Sequence, residues 1–260
     1  MGNGRKKGLF LLLFLLVVLV VMVYIGTEVF QVKKVTVTGN QNIKDDDIIR
    51  IAGIPAGQNI FKIDRKQIKE NVESNPLLKV LNIYFKYPDE VIINVEERKP
   101  VAAIPYLGSY VVIDIEGHVM EIRSDLEDMP YPLVQGLSLR GCTIGKPLSV
   151  ADWYQMKALS RVLEEIYRQH LEGDISEVIV DNPNDIYLVS RNGTLIRLGQ
   201  AIEVDKKLKW LKTPNFHQID STGASGILDV SISNQAIFKP LEHKSDKGKA
   251  EKEHEEEVKQ

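Results

Sequence analysis

The sequence predicts an α+β protein hung from one membrane-spanning helix, and three observations support this. Leu9 to Ile25 is an uncharged run of seventeen residues, fifteen of them Leu, Ile, Val or Phe, preceded by Arg5, Lys6 and Lys7. From Val32 to Pro100, segments with strand alternation and segments with helical spacing follow one another as strand, helix, helix, strand, strand. From Val101 to Pro240 short β-rich runs dominate, with helices between them, so a mixed β domain with helices packed on a sheet is expected.

The apolar run comes first. As a helix it spans about 25 Å against a hydrocarbon core of ~30 Å, so Gly8, Gly26, Thr27 and a snorkelling Lys7 complete the crossing. Its aliphatic residues favour insertion by roughly 5 to 9 kcal/mol at most. A cleaved signal peptide is the competing reading, but its core is ~7 to 15 residues and ends at small residues spaced as A-x-A. Here the run leaves through Tyr24-Ile25-Gly26-Thr27-Glu28-Val29, which has no such pair. Residues 9–26 are therefore read as a permanent anchor. The basic cluster places residues 1–8 in the cytoplasm and everything after Thr27 outside the cytoplasmic membrane.

Composition narrows the classes. The 260 residues less the anchor suffice for one or two cored domains, and two fit better. With 33 Lys and Arg against 36 Asp and Glu, a net charge of −3 and no basic stripe, nucleic acid is not an expected partner. Cys142 is alone and can form no internal disulfide; it reads as a small core or loop residue.

Val32 to Asn40 alternates apolar and polar residues and stops at Gly39-Asn40, a strand entering a turn. Asp45, Asp46 and Asp47 then stand at the amino end of a short helix carrying Ile48, Ile49 and Ile51 and closed by Gly53. These acids complement the helix end and lack the offsets of a calcium loop. Asp64 to Gln67 resembles a capping box ahead of a second helix with Ile63, Ile68 and Val72, which Asn75-Pro76 ends. Val80 to Tyr87 and Glu90 to Glu97, separated by Pro88-Asp89, complete a hairpin. The domain expected is 32–100.

The second domain is expected over 101–240. Tyr110 to Ile113 and His118 to Ile122 flank Asp114-Ile115-Glu116-Gly117 as a hairpin, and Met129 to Pro132 reads as an irregular loop. Ser149 to Asp152 starts a long helix with Leu159, Val162, Leu163 and Ile166 on one face. The sheet it braces is expected from Ile175 to Val180, Ile186 to Ser190, Thr194 to Leu198 and Ile227 to Ile232, with Asn192-Gly193 turning the middle pair. Glu203 to Lys212 reads as a helix with its lysines and Trp210 partly outside. Residues 241–260, mostly Lys and Glu, read as a disordered tail, and His243 and His254 have no metal-site spacing.

No catalytic signature is present. The five His are scattered, G-x-S-x-G, S-x-x-K and H-E-x-x-H are missing, and Gly141 to Pro147 is one residue short of a phosphate loop, with Pro where Ser or Thr must stand. Acid doublets such as Glu96-Glu97, Glu127-Asp128 and Glu164-Glu165 diverge on any regular backbone and do not converge on a glycosidic bond. Neither a cofactor nor a metal is expected. Binding remains. The late run Ile227, Leu228, Asp229, Val230, Ser231 and Ile232 fits an open sheet edge that accepts a strand, and fits equally an interior, fully paired strand.

The Val35-to-Asn40 strand and turn, the Ile48 helix, Gly53 to Gly57, Asn75-Pro76, and Tyr87-Pro88-Asp89 ahead of Val95 to Pro100 resemble a POTRA module, behind one anchor and ahead of a β domain. Together they resemble the bacterial cell-division family FtsQ/DivIB, over essentially Leu9 to Pro240. That resemblance implies a non-enzymatic scaffold in the cytoplasmic membrane, concentrated at the division septum. It implies bitopic partners of the FtsB/DivIC and FtsL kinds, and indirect action on septal FtsW and its penicillin-binding partner. It places the partner surface at Ile227 to Phe238, which includes Ile237, with Arg197 on its other half, either pairing a partner carboxylate or simply solvated. The rival functions are a POTRA-type polypeptide-handling chaperone and a membrane-anchored cell-wall enzyme.

Overall fold

The computed structural model describes residues 3–127, 129–222 and 226–240. The tail read from 241–260, with its two histidines, and Asp128 of one acid doublet lie outside these. The chain parts into two compact units. One holds the chain up to Lys99 with His118–Glu121 and Thr143–Pro147; the other holds Pro100–Gly117, Ile122–Cys142 and the chain from Leu148 onward.

Helix α1, Asn3–Tyr24, contains one stretch, Lys7–Tyr24, long and apolar enough to cross a membrane, and none of that stretch is buried. Five residues of π-helix, Ile25–Val29, follow. The first unit then runs β1 (Lys34–Thr38), α2 (Asp45–Ala52), α3 (Arg65–Val72), β2 (Leu78–Lys86) and β3 (Glu90–Glu97), in sheet order β1-β3-β2. β1 is parallel to β3, and β2 is antiparallel to it, as a hairpin demands. Gly53 ends α2 at φ +66°, a left-handed closure that costs glycine nothing. Asp64 caps α3 by accepting from the Lys66 and Gln67 amides, but the reciprocal half of the box is not made, since Gln67 Nε2 turns to Asn71. Ile48, Ile68, Val72, Ile83, Val91 and Ile93 form the core between helices and sheet.

The second unit carries β4 (Ala102–Tyr106), β5 (Ser109–Ile113), the end of β6 (Val119–Arg123), whose first three residues fall in the first unit, β7 (Leu133–Gln135), β8 (Leu139–Gly141), β9 (Ser149–Val150) and α4 (Trp153–Arg168). β10 (Ile175–Ile179), β11 (Ile186–Ser190), β12 (Leu195–Gly199), α5 (Val204–Leu208), α6 (Pro214–Ser221), β13 (Gly226–Asp229) and β14 (Ile237–Pro240) complete it. Nine strands share one mixed sheet in the order β14-β13-β12-β11-β10-β7-β4-β5-β6. Asp152 caps α4, which buries Leu159, Val162, Leu163 and Ile166. The facing sheet residues Val178, Leu188, Ile196 and Leu228 are 0 to 4% exposed, so this face is the core.

Two expectations in this region need correction. The Glu203 to Lys212 helix breaks after Leu208 into a 3-10 turn. Lys207 is not outside but buried, its Nζ donating to the carbonyls of Leu198 (3.1 Å) and Gln200 (2.8 Å), and burial pulls its pKa down. The turn at Asn192-Gly193 lies where it was expected, with Gly193 at φ +91° donating to Ser190 O. Six elements escaped the sequence reading: β4, α6, β14 and the short strands β7, β8 and β9. β4 was hidden by Pro105, which lies beyond the one residue, Ala103, that pairs with β7. α6 was signalled by Thr213-Pro214, an N-cap with proline at the first turn. β14 is the one that bears on function.

Candidate functional site: the β13–β14 edge

Of the two positions open to the late strand, edge or interior, it takes the interior one. β13 ends at Asp229, and it lies between β12, parallel to it, and β14, antiparallel to it. Ile227, Leu228 and Asp229 are therefore interior, paired with Leu195, Ile196 and Arg197 on one side and with Lys239, Phe238 and Ile237 on the other. Val230 is fully buried and its amide still donates to Arg197 O at 3.0 Å. Ser231 and Ile232 belong to the connecting loop, where Ile232 is 58% exposed. The cause is the return of the chain: after the loop, Ile237–Pro240 folds back alongside β13 and takes the outer place.

Among the described residues β14 ends this sheet, and no strand pairs with its outer side. Ile237 is 45% exposed and Phe238 half-buried, so two of the residues expected at the partner surface do lie on the open strand. Phe238 lies over Gly226, where a Cβ would come within 2.3 Å of its ring; only glycine leaves room for it. The sequence hint was Lys239-Pro240, since lysine and proline are residues that edge strands carry.

The connecting loop is pinned rather than free. Asp229 accepts from the Ser231 amide (3.0 Å) and hydroxyl (2.6 Å). Ser233 donates to Glu203 (2.6 Å), and Trp210 Nε1 donates to Ser233 O (3.2 Å). These bonds tie the loop to α5 and the turn after it and so fix where β14 begins.

Arg197 is held by carboxylates of its own chain, although 41% of its side chain stays exposed. Its Nε donates to Asp185 at 2.8 Å and its Nη1 to Asp229 at 3.4 Å, while the Tyr187 hydroxyl donates to Asp185 at 3.1 Å. The Asp185 carboxylate holds the guanidinium proton more tightly than usual. Burial pushes the Asp229 carboxyl up, but the Ser231 and Arg197 hydrogen bonds together outweigh it and leave it below its ordinary value. Asp185 and Asp229 make Arg197 a brace across β11, β12 and β13. The half-exposed face beside it shows Leu195 and Ile227.

Other edges are less suited. Val119 of β6 is bonded on its outer side, donating to Lys146 O (2.9 Å) and accepting from Gly145 N (2.8 Å). β2 carries a register break between Val80 and Asn82 and lysines near both ends. A strand laid on the four residues of β14 gains at most about four main-chain hydrogen bonds, each worth net ~0.5–1.5 kcal/mol. That is roughly 2–6 kcal/mol, short of the ~8 kcal/mol that micromolar binding requires. Side chains beside the edge must supply the rest.

Comparisons with known proteins follow this architecture. The family model for an FtsQ-type POTRA domain matches residues 30–98, and the model for the C-terminal domain of the cell division protein FtsQ/DivIB matches residues 104–229. The cell division protein DivIB of Clostridium tetani is 28% identical over 211 residues, covering 80% of this chain and 79% of that protein. The cell division protein FtsQ of Syntrophotalea carbinolica is 24% identical over 218 residues, covering 82% and 75%. The solved major extracytoplasmic domain of DivIB from Geobacillus stearothermophilus aligns at a TM-score of 0.30 and 10% identity, over 48% of this chain and 94% of that one.

Proposed function

This chain belongs to the FtsQ/DivIB family of bacterial cell-division proteins, and from that we propose that it acts as a non-catalytic adaptor whose β14 edge receives a strand from a bitopic partner of the FtsB/DivIC kind. FtsL joins through that partner, and the assembly recruits or regulates septal peptidoglycan synthesis by FtsW and its penicillin-binding partner. The adaptor works from the outer side of the cytoplasmic membrane at the septum, held by α1. The observation that carries the reading is the position of Ile237–Pro240 at the end of the nine-stranded sheet. Strand addition there uses backbone groups for affinity and alternate side chains for selectivity. Ile237, Phe238, Ile232 and the half-exposed Ile227 are the side chains placed to meet the partner; Leu228, Asp229, Val230, Ser231 and Arg197 hold the strand they stand on.

A proline at Val230 would break the interior bond to Arg197 O and so is no gentle probe of the edge. Ile237→Asp is better, because the side chain is already 45% exposed. The full chain in nanodiscs, titrated with the ectodomain of its FtsB/DivIC-type partner, is expected to lose at least about tenfold in affinity, or ~1.4 kcal/mol, on this change. Its thermal midpoint should stay put. Hydrogen exchange at 237–240 should slow when partner is added; unchanged affinity together with unchanged exchange would count against the edge.

A further inference from the structure

The first unit gathers three aromatic rings where the chain leaves α1. Phe30 and Phe61 have centroids 5.0 Å apart, Phe61 and Tyr87 stack at 5.3 Å with 25° between their planes, and Phe30 meets Tyr87 edge-on at 6.4 Å. They come from three separate segments, and the backbone brings them together. Ile60 N donates to Phe30 O (2.8 Å) and Val32 N to Gln58 O (2.9 Å), which lays residues 58–61 against the exit strand. Lys33 N donates to Asp89 O (2.9 Å), which draws in the β2–β3 turn and Tyr87 with it. Yet the cluster is not a core: Phe61 is 63% and Tyr87 55% exposed. Two large stacked rings left in water are costly and call for an occupant.

The position of α1 says which. Asn59 Nδ2 donates to the carbonyl of Gly26, two residues beyond the membrane-length stretch that ends at Tyr24. Two residues advance a helix by only about 3 Å. Phe61, two residues from Asn59, lies within about 7 Å more. The polar layer outside each face of the hydrocarbon core is about 5–8 Å thick, so rings tied this close to the end of the span are within reach of it. Aromatic rings are enriched at that level, and exposed Lys62 beside Phe61 can reach headgroup phosphates.

We propose that Phe30, Phe61 and Tyr87 form an interfacial foot that seats the first unit in the headgroup layer of the bilayer crossed by α1. The foot rests on the reading of α1 as a membrane span. It limits the tilt of the first unit against the anchor, which a helix exit alone does not.

The test uses the full chain, with Cys142→Ser, reconstituted alone in phosphatidylcholine/phosphatidylglycerol nanodiscs so that no partner protein can cover the rings. Nitroxides are placed singly at Lys62→Cys, at exposed Lys66→Cys on α3, and at Leu16→Cys inside α1. Relaxation by oxygen is compared with relaxation by a water-soluble nickel chelate. The label at 62 is expected to be severalfold more shielded from nickel than the label at 66, and Phe61→Ser with Tyr87→Ser should abolish the difference. Equal nickel access at 62 and 66 in the unsubstituted foot overturns the proposal, whatever the double variant does to folding. An aqueous reading at 16 would instead remove the membrane span itself, a separate failure.

Discussion

At the scale of single residues, hydrogen bonds to charged groups fix local geometry. The Ile43 amide, joined by those of Gln41 and Asn42 and by the Asn42 side chain, outweighs the cost of burial and holds the Glu97 carboxyl at about 2, against an ordinary value of 4.5. A carboxylate whose folded pKa is depressed contributes stability above its unfolded pKa and loses it as pH falls through the folded one. Acid unfolding of the first unit should therefore steepen between pH 4.5 and about 2, and Glu97→Gln should flatten that interval while lowering stability at pH 7, read by circular dichroism against pH. Lys207→Met should destabilise the second unit by about 1–3 kcal/mol in urea melts, because the Leu198 and Gln200 carbonyls lose their donor. Neither Lys207 nor Arg197 was legible from its neighbours in sequence. Arg197 finds Asp185 and Asp229 at separations of 12 and 32 residues, and only the strand order makes them adjacent. Local signals fared differently: Asp64, Asp152 and Gly53 each sit where capping chemistry placed them.

At the scale of elements, periodicity was sufficient wherever an element carried a full apolar face. The POTRA strands and helices, α4 and the β10 to β12 strands have such faces and were readable from spacing alone. β14 was not, because four residues with Lys and Pro in them give no alternation to detect. The rank of a strand within its sheet is a property of the whole chain path, so β13 could be seen as a strand yet not as an interior one. The pair is held by the Phe238 ring on Gly226. Gly226→Val should push the ring out, cost about 1–3 kcal/mol as overpacking does, and speed hydrogen exchange in 237–240 while that in β12 is unchanged. Equal acceleration in both strands would mean that the hairpin does not open separately.

At the scale of the molecule, the chain joins an apolar helix long enough to cross a membrane to a sheet that, among the described residues, ends in a short open strand. The helix was the plainest text in the sequence, since seventeen uncharged residues in a row have few other uses. The sheet's open end has a temporal consequence. β14 follows every other strand of its sheet in the chain, and its seat on β13 exists only after β12 and the helices between them have been made. A chain halted before Gly226 keeps its helix and its first unit but has no rim to present. Ribosome-stalled or truncated forms of that length should sediment with membranes, resist alkaline carbonate, and bring down no FtsB-type companion. Under the proposed adaptor role, capture of a partner would then wait until the last strand is made, a proofreading step supplied by nothing more than the order in which the ribbons emerge.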